Sequence, residues 1–274
     1  MREGYTHITV LLDKSGSMAS ILKDTLGGFN TFLKGQKETA KEGDTFSLIQ
    51  FSTDYITTFK NARIKDVHDL TEAVYKPMGG TALLDAAVRT IKEQGEFFAS
   101  IKESDRPSKV IFLMITDGEE NASKNATKAQ LKTLIQEHTN VWKWEFVFIG
   151  ANQDAIQEAA HYGIAAASAM SFGASKEGVT ATFSNLTRSL NTYKEAPVGL
   201  NYASSGAAFT AEERLTSMGG IQTGTVTETP QVNPPVSVGG WTGQVDLTIL
   251  GQQPAIGTAN VSTKTSDVLR NGTK

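Results

Sequence analysis

Three short motifs hold six oxygen-bearing side chains, five of which could together hold a metal ion. The motifs are Asp13-Lys-Ser15-Gly-Ser17, Gly79-Gly-Thr81 and Thr116-Asp117-Gly118. They supply hydroxyl and carboxylate oxygens with no His or Cys nearby, so the ligand chemistry suits Mg²⁺ or Mn²⁺ rather than Zn²⁺. The predicted metal ligands are Asp13, Ser15, Ser17, Thr81 and Asp117.

The elements that must position these motifs are predicted from apolar periodicity. Strands are expected at 5–12, 45–52, 55–59, 109–115, 143–149 and 168–172, and helices at 19–43, 81–102, 128–137, 154–162 and 176–194. Strand and helix alternate, which predicts an α/β fold with a doubly wound, mostly parallel sheet and helices on both faces. Such sheets place their ligand crevice past the carboxyl ends of the strands, where Asp13 and Asp117 stand.

The motifs and their placement resemble those of the von Willebrand factor A domain with its metal-ion-dependent adhesion site. The resemblance covers roughly residues 4–195, and all five signature positions are present without substitution. It implies that Ser15, Ser17 and Thr81 contact the metal, with Asp13 and Asp117 acting directly or through water. It also implies an open coordination position that an acidic residue of a partner protein fills.

A plainer interpretation of the first motif is a helix cap, because Asp and Ser favour such turns. Thr81 and Asp117 belong to other loops, so a cap alone does not explain the whole set. Glu119 and Glu120 follow Asp117 and are interpreted as solvated surface carboxylates outside the metal's ligand set.

The composition changes beyond Pro197. Residues 196–274 hold 5 of the 7 Pro and 11 of the 25 Gly, with only nine charged residues. A short helix with a capping box is expected from Thr210, and Val245, Leu247 and Ile249 alternate as in a strand. The chain is therefore divided into a domain of residues 1–195 and an extended C-terminal arm, 196–274, which is expected to serve assembly because it cannot bury a core alone.

Charge and hydropathy exclude several classes of function. The net charge is −3, from 26 Lys and Arg against 29 Asp and Glu, which argues against nucleic acid as a partner. No run approaches the roughly 20 apolar residues of a membrane span. No signal peptide is evident at the N-terminus, so the expected location is the cytoplasm or a virion.

The leading functional hypothesis is a non-enzymatic, Mg²⁺-dependent module for protein–protein interaction or adhesion. Its expected partners are a protein that supplies an acidic residue to the metal and neighbouring subunits that contact the arm, as in a structural subunit of a phage virion. The alternatives are a cytosolic bacterial regulator or scaffold of the stress or tellurite-resistance type and a metal-dependent hydrolase. The hydrolase ranks last because no general base is evident.

Overall fold

A computed structural model describes residues 2–151 and 154–220 of the chain. Its strands are β1 (Arg2–Asp13), β2 (Thr45–Phe51), β3 (Tyr55–Arg63), β4 (Pro107–Thr116), β5 (Glu145–Ala151) and β6 (Ala169–Phe172). Its α-helices are α1 (Leu22–Glu38), α2 (Leu83–Ser100), α3 (Lys128–Asn140), α4 (Ala155–His161), α5 (Lys176–Glu195) and α6 (Ala211–Ser217). A short 3₁₀ helix, Gly16–Ile21, precedes α1.

The six strands form one sheet in the order β3-β2-β1-β4-β5-β6. Only the β2–β3 pair is antiparallel, because a tight turn joins these two strands whereas helices connect the others. The predicted doubly wound, mostly parallel sheet is confirmed. Since β1 and β4 are central neighbours, the loops that follow them lie side by side at one edge.

Two hydrophobic clusters cover the two faces of the sheet. Alternate residues of β1 point to opposite faces, with Val10 in the cluster under α1 and α5 and Leu11 in the cluster under α2, α3 and α4. Phe29 of α1 and Phe183 of α5 are buried in the first cluster. Both faces of the sheet are therefore covered by helices, which explains why the central strands are continuously apolar.

The packed body extends past the expected domain boundary at residue 195. Tyr202, Ala207 and Phe209 are at most 5% exposed and belong to the cluster under α1 and α5. The amide of Gly173, just after β6, donates to the carbonyl of Ser217 at 2.9 Å. Residues 197–218 thus complete the core beside β6, whereas the predicted strand at 245–249 and the arm beyond residue 220 lie outside the described residues.

The expected helix at Thr210 is confirmed as α6. The Thr210 hydroxyl accepts from the Glu213 amide, and the Glu213 carboxylate accepts from the Thr210 amide. This reciprocal capping box satisfies two amide groups at the start of the helix.

Candidate metal centre

Backbone hydrogen bonds hold the first two motif loops together. The Met78 amide donates to the Lys14 carbonyl at 2.7 Å, and the Gly16 amide donates to the Gly79 carbonyl at 2.9 Å. Gly79 has a φ of +83°, a conformation that glycine adopts without strain, and a Cβ there would stand 2.5 Å from the Thr53 hydroxyl. The long connection from β3 to α2 therefore brings Thr81 back to the end of β1.

Asp13 is fully buried at the end of β1 and joins the first loop to the third. Its Oδ1 accepts from the Ser15 amide at 2.6 Å, and its Oδ2 accepts from the Thr116 hydroxyl at 2.6 Å. The Tyr75 hydroxyl donates to the Asp13 carbonyl. These bonds fix the carboxylate and the turn that follows it.

Ser15, Ser17 and Asp117 form a connected chain of oxygen atoms. The Ser17 hydroxyl donates to Asp117 Oδ1 at 2.6 Å, and the Ser15 and Ser17 hydroxyl oxygens lie 3.1 Å apart. Ser15 is buried, whereas Ser17 is exposed. The chain of oxygens therefore runs from the protein interior to the solvent.

Thr81 reaches the same place from the second loop. A Cβ built on Gly118 would stand 3.6 Å from the hydroxyl oxygens of both Thr81 and Ser17, so the bare glycine leaves room between them. Asn121 fixes the loop that carries Thr81. Its side-chain Oδ1 accepts from the Thr81 backbone amide at 2.8 Å, and its backbone amide donates to the Thr81 carbonyl at 3.0 Å. All five residues singled out from the sequence are thus brought to one edge of the sheet.

Glu120 has a structural role that the sequence interpretation missed. One carboxylate oxygen accepts from the amides of Ala122 and Ser123 at 2.9 and 2.7 Å. The other accepts from the Leu84 amide in the first turn of α2 at 2.9 Å and from the Ser123 hydroxyl at 2.8 Å. Its interpretation as a solvated carboxylate is wrong, because it ties the third loop to the start of α2. Glu119 is exposed, as expected.

The two aspartates are poorly stabilised as anions by the protein alone. Burial raises the pKa of Asp13 to about 6, against opposing hydrogen bonds from Thr116 and Ser15, and the nearby Asp117 charge adds to the increase. Burial also raises the pKa of Asp117. The neighbouring cationic side chain of Lys14 is buried and paired with Asp54, with 3.6 Å between Nζ and Oδ2. A cation among these oxygens would lower the cost of both buried charges.

The donor set fits a hard cation. Within the described residues there is no group of three or more His, Cys, Asp or Glu side chains placed to hold a metal. The oxygens at this edge are instead three hydroxyls and two carboxylates, the ligand type that Mg²⁺ and Mn²⁺ prefer. Their convergence from three separate loops is not explained by capping of one helix.

The family model of the von Willebrand factor type A domain matches residues 7–186. The chain belongs to this family. Domains of the von Willebrand factor type A family are mostly non-enzymatic modules of protein–protein interaction or adhesion, which gives the coarse class of function. The resemblance stated from the five motif residues is therefore confirmed at the level of the family.

Several solved structures are similar to this chain at low sequence identity. Proximal thread matrix protein 1 from the mussel byssus is 16% identical with a TM-score of 0.50, and the match covers 67% of this chain and 47% of that one. A second structure of that protein, described as having a zinc-occupied metal-ion-dependent adhesion site, is 17% identical with a TM-score of 0.49, over the same shares of the two chains. A domain from Catenulispora acidiphila is 16% identical with a TM-score of 0.43, over 67% and 42%.

The chain spans about half the length of the mussel protein that it matches. No curated protein matches it. Among the helices of residues 2–151 and 154–220, none has the length and apolar character needed to cross a bilayer.

Proposed function

We propose that the chain is a divalent-cation-dependent protein-binding module whose cation is held by Asp13, Ser15, Ser17, Thr81 and Asp117. The observation that carries the proposal is the set of oxygens that three loops bring to one edge of the sheet, with the 2.6 Å bond between the Ser17 hydroxyl and Asp117 among them. Mg²⁺ or Mn²⁺ is the cation that these ligands suit best, on the ground of their oxygen chemistry.

The charge balance of the site gives it a preference for acidic partners. In this proposal three neutral hydroxyls contact the ion and the carboxylates of Asp13 and Asp117 act through water, so a bound divalent ion keeps positive character and attracts a carboxylate from outside. Ser17 and Asp117 are accessible to solvent, which leaves an approach for an Asp or Glu side chain of the partner. In this function Asp13 and Thr116 hold the loop in place, and the hydroxyls of Ser15, Ser17 and Thr81 supply neutral ligands.

A thermal-shift titration of the EDTA-treated protein tests the metal site. At a concentration 100 times the Kd, a bound cation adds about 2.7 kcal/mol to the free energy of unfolding. For a body of this size the melting temperature is expected to rise by about 5–10 °C. Mg²⁺ and Mn²⁺ should produce the increase, with Ca²⁺ and Zn²⁺ as comparison ions.

Two serine variants distinguish a residue that binds the cation from a neighbouring residue that does not. Ser17→Ala is expected to abolish the increase. Ser20→Ala should keep it, because the Ser20 hydroxyl is exposed and donates only to the Ser17 carbonyl, at 3.0 Å. Equal increases in both variants would mean that the cation binds elsewhere.

The biological setting proposed for the module is a subunit of a larger assembly, such as a phage virion, with a cytosolic regulator or scaffold as the alternative. Purification from the native source distinguishes them, because an assembly subunit brings structural proteins and a regulator brings enzymes or chaperones. Comparing the whole chain with a chain ended at Gly220 tests whether residues 221–274 are needed for these contacts. A purified chain that hydrolyses phosphate or peptide substrates with Mg²⁺ would favour the hydrolase instead.

A further inference from the structure

A groove of about 970 Å³ runs between α2 and α3 on the outside of the molecule. Its floor is made of small side chains from both helices and the adjoining loop, which leave depth where larger ones would fill it. The alanines that line the groove are Ala82, Ala86, Ala122, Ala126 and Ala129. Val88 and Leu134 are half-buried beside them, so the floor is apolar.

One end of the groove opens at the candidate metal centre. Ala82 and Ala122 line it there, and both are directly linked to Thr81, because Ala82 follows it in the chain and the Ala122 amide donates to its carbonyl at 3.1 Å. Both helices begin at this edge of the sheet, since α2 leads into the start of β4 and α3 follows the end of β4. Their C-terminal ends therefore mark the far end of the groove.

The groove is long enough for a short extended polypeptide. Its lining on α2 extends from Ala82 to Glu96, which at the helical rise of about 1.5 Å per residue is about 21 Å. At about 3.3 Å per residue this length holds about six extended residues.

Charged side chains of both signs line the groove. At the metal end Lys124 lies with Asp54 and Asp85, and the Lys124 backbone amide donates to the Asp85 carboxylate, so positive charge at this end comes from the proposed cation. Glu96 and Glu137 are exposed at the far end, and neither has an ion-pair partner among the residues that the structure describes. A cation at one end and these two carboxylates at the other suit a segment with an acidic residue followed at a distance by a basic one.

We propose that this groove seats an extended segment of the partner protein, which carries an acidic residue at the metal end and a basic residue about six positions away at the far end. The proposal rests on the proposed function, because the acidic residue is the one that reaches the cation. The basic side chain would pair with Glu96 and Glu137, and small or apolar side chains between them would pack on Ala86 and Ala129. The partner is thus recognised by a charge pattern as well as by a single carboxylate.

A yeast-displayed library of random dodecamers, selected against the whole chain in Mg²⁺, tests this. Selected peptides are expected to carry Asp or Glu about six positions from Lys or Arg. Ala129→Trp fills the groove at an exposed position and should weaken their binding at least tenfold. The matched control is Ala160→Trp, an exposed position on α4, which should leave binding unchanged.

Charge reversal adds a second readout. The double variant Glu96→Lys with Glu137→Lys should weaken the selected peptides about tenfold, and replacing their basic residue by Glu should restore binding to that variant. Peptides that need Mg²⁺ but bind equally to the Ala129→Trp and Ala160→Trp variants would overturn the groove while leaving the metal function intact. Peptides indifferent to EDTA would instead contradict the proposed function. A library that yields no binder also counts against the groove.

Discussion

Replacing Tyr202 by Ala should destabilise the whole folded body, although the residue lies beyond the end of the expected domain. Tyr202 is 1% exposed, and its ring centroid lies 5.7 Å from that of Tyr193 and 6.2 Å from that of Phe209. Its hydroxyl is hydrogen-bonded to Ser189 of α5, and its amide donates to Glu145 at 3.1 Å. Tyr202 therefore connects residues 197–218 to α5 through its side chain and to β5 through its backbone amide.

The magnitude follows from removing a buried aromatic ring. Such truncations cost about 3–5 kcal/mol, since the lost contacts leave a cavity that closes only in part. For a body of this size each kcal/mol corresponds to about 2–4 °C. Thermal unfolding followed by circular dichroism should show a melting temperature lower by about 6–20 °C. Tyr202→Phe keeps the ring and should cost only about 1 kcal/mol, for the lost hydrogen bond.

Leu200→Ala is the matched control, because Leu200 is 40% exposed and two residues away. It should change the melting temperature by no more than about 2 °C. For the same reason as Tyr202→Ala, a chain ended at Ala196 should unfold at a lower temperature than one ended at Gly220. If Tyr202→Ala were as stable as the control, residues 197–218 would not be part of the core and the reasoning would be refuted.

Three further perturbations test the packing around the site and the sheet. Burial lowers the pKa of His7 to about 3. The stability that neutral His7 contributes is therefore present above about pH 6.5 and is lost as the pH falls towards 3, by up to about 1.4 kcal/mol per pH unit. Urea titrations at several pH values should show this decrease in the free energy of unfolding for the native chain, and His7→Gln should remove it. Glu120→Ala should cost about 2 kcal/mol by freeing backbone amides of the third loop and α2, measured by the same titrations, and a wild-type midpoint would contradict its role. Gly27→Ala should stabilise α1 by about 1 kcal/mol, because nothing lies within 4 Å of a Cβ there, whereas Gly28→Ala should destabilise it by about 1–3 kcal/mol, because its Cβ would stand 2.2 Å from the Phe183 ring. Equal effects of these two changes would refute the packing of α1 on α5.

The core elements were predictable because their signals are local. Buried parallel strands are continuously apolar and the helices are amphipathic, so the strand and helix order was correct throughout the described part of the domain. Errors in the element bounds lie beside two residues with positive φ. Asn61, with φ of 49°, lies within β3, which continues to Arg63 rather than stopping at Phe59. Lys143, with φ of 58°, lies outside β5, which begins at Glu145 rather than at residue 143.

Two features of the molecule had no local signal. Tyr202 and Phe209 are isolated aromatic residues in a Gly- and Pro-rich stretch, and their burial depends on α5 and β6, far away in the sequence. Glu120 binds the Leu84 amide, a contact between distant loops that no motif encodes. The five candidate ligands could be identified from the sequence because the ends of parallel strands converge at one edge of the sheet. Their role as metal ligands stays a prediction.

The central claim is that a carboxylate from outside completes the coordination of a cation at this site. Pulsed electron–nuclear double resonance of the chain loaded with one equivalent of Mn²⁺, with acetate labelled by ¹³C at its carboxyl as the probe, tests it directly. We expect a ¹³C coupling to bound Mn²⁺ in the native chain and in Ser20→Ala, and its loss in Ser17→Ala. Bound Mn²⁺ with no ¹³C coupling at saturating acetate, or Mn²⁺ that stays free in solution, would contradict the account.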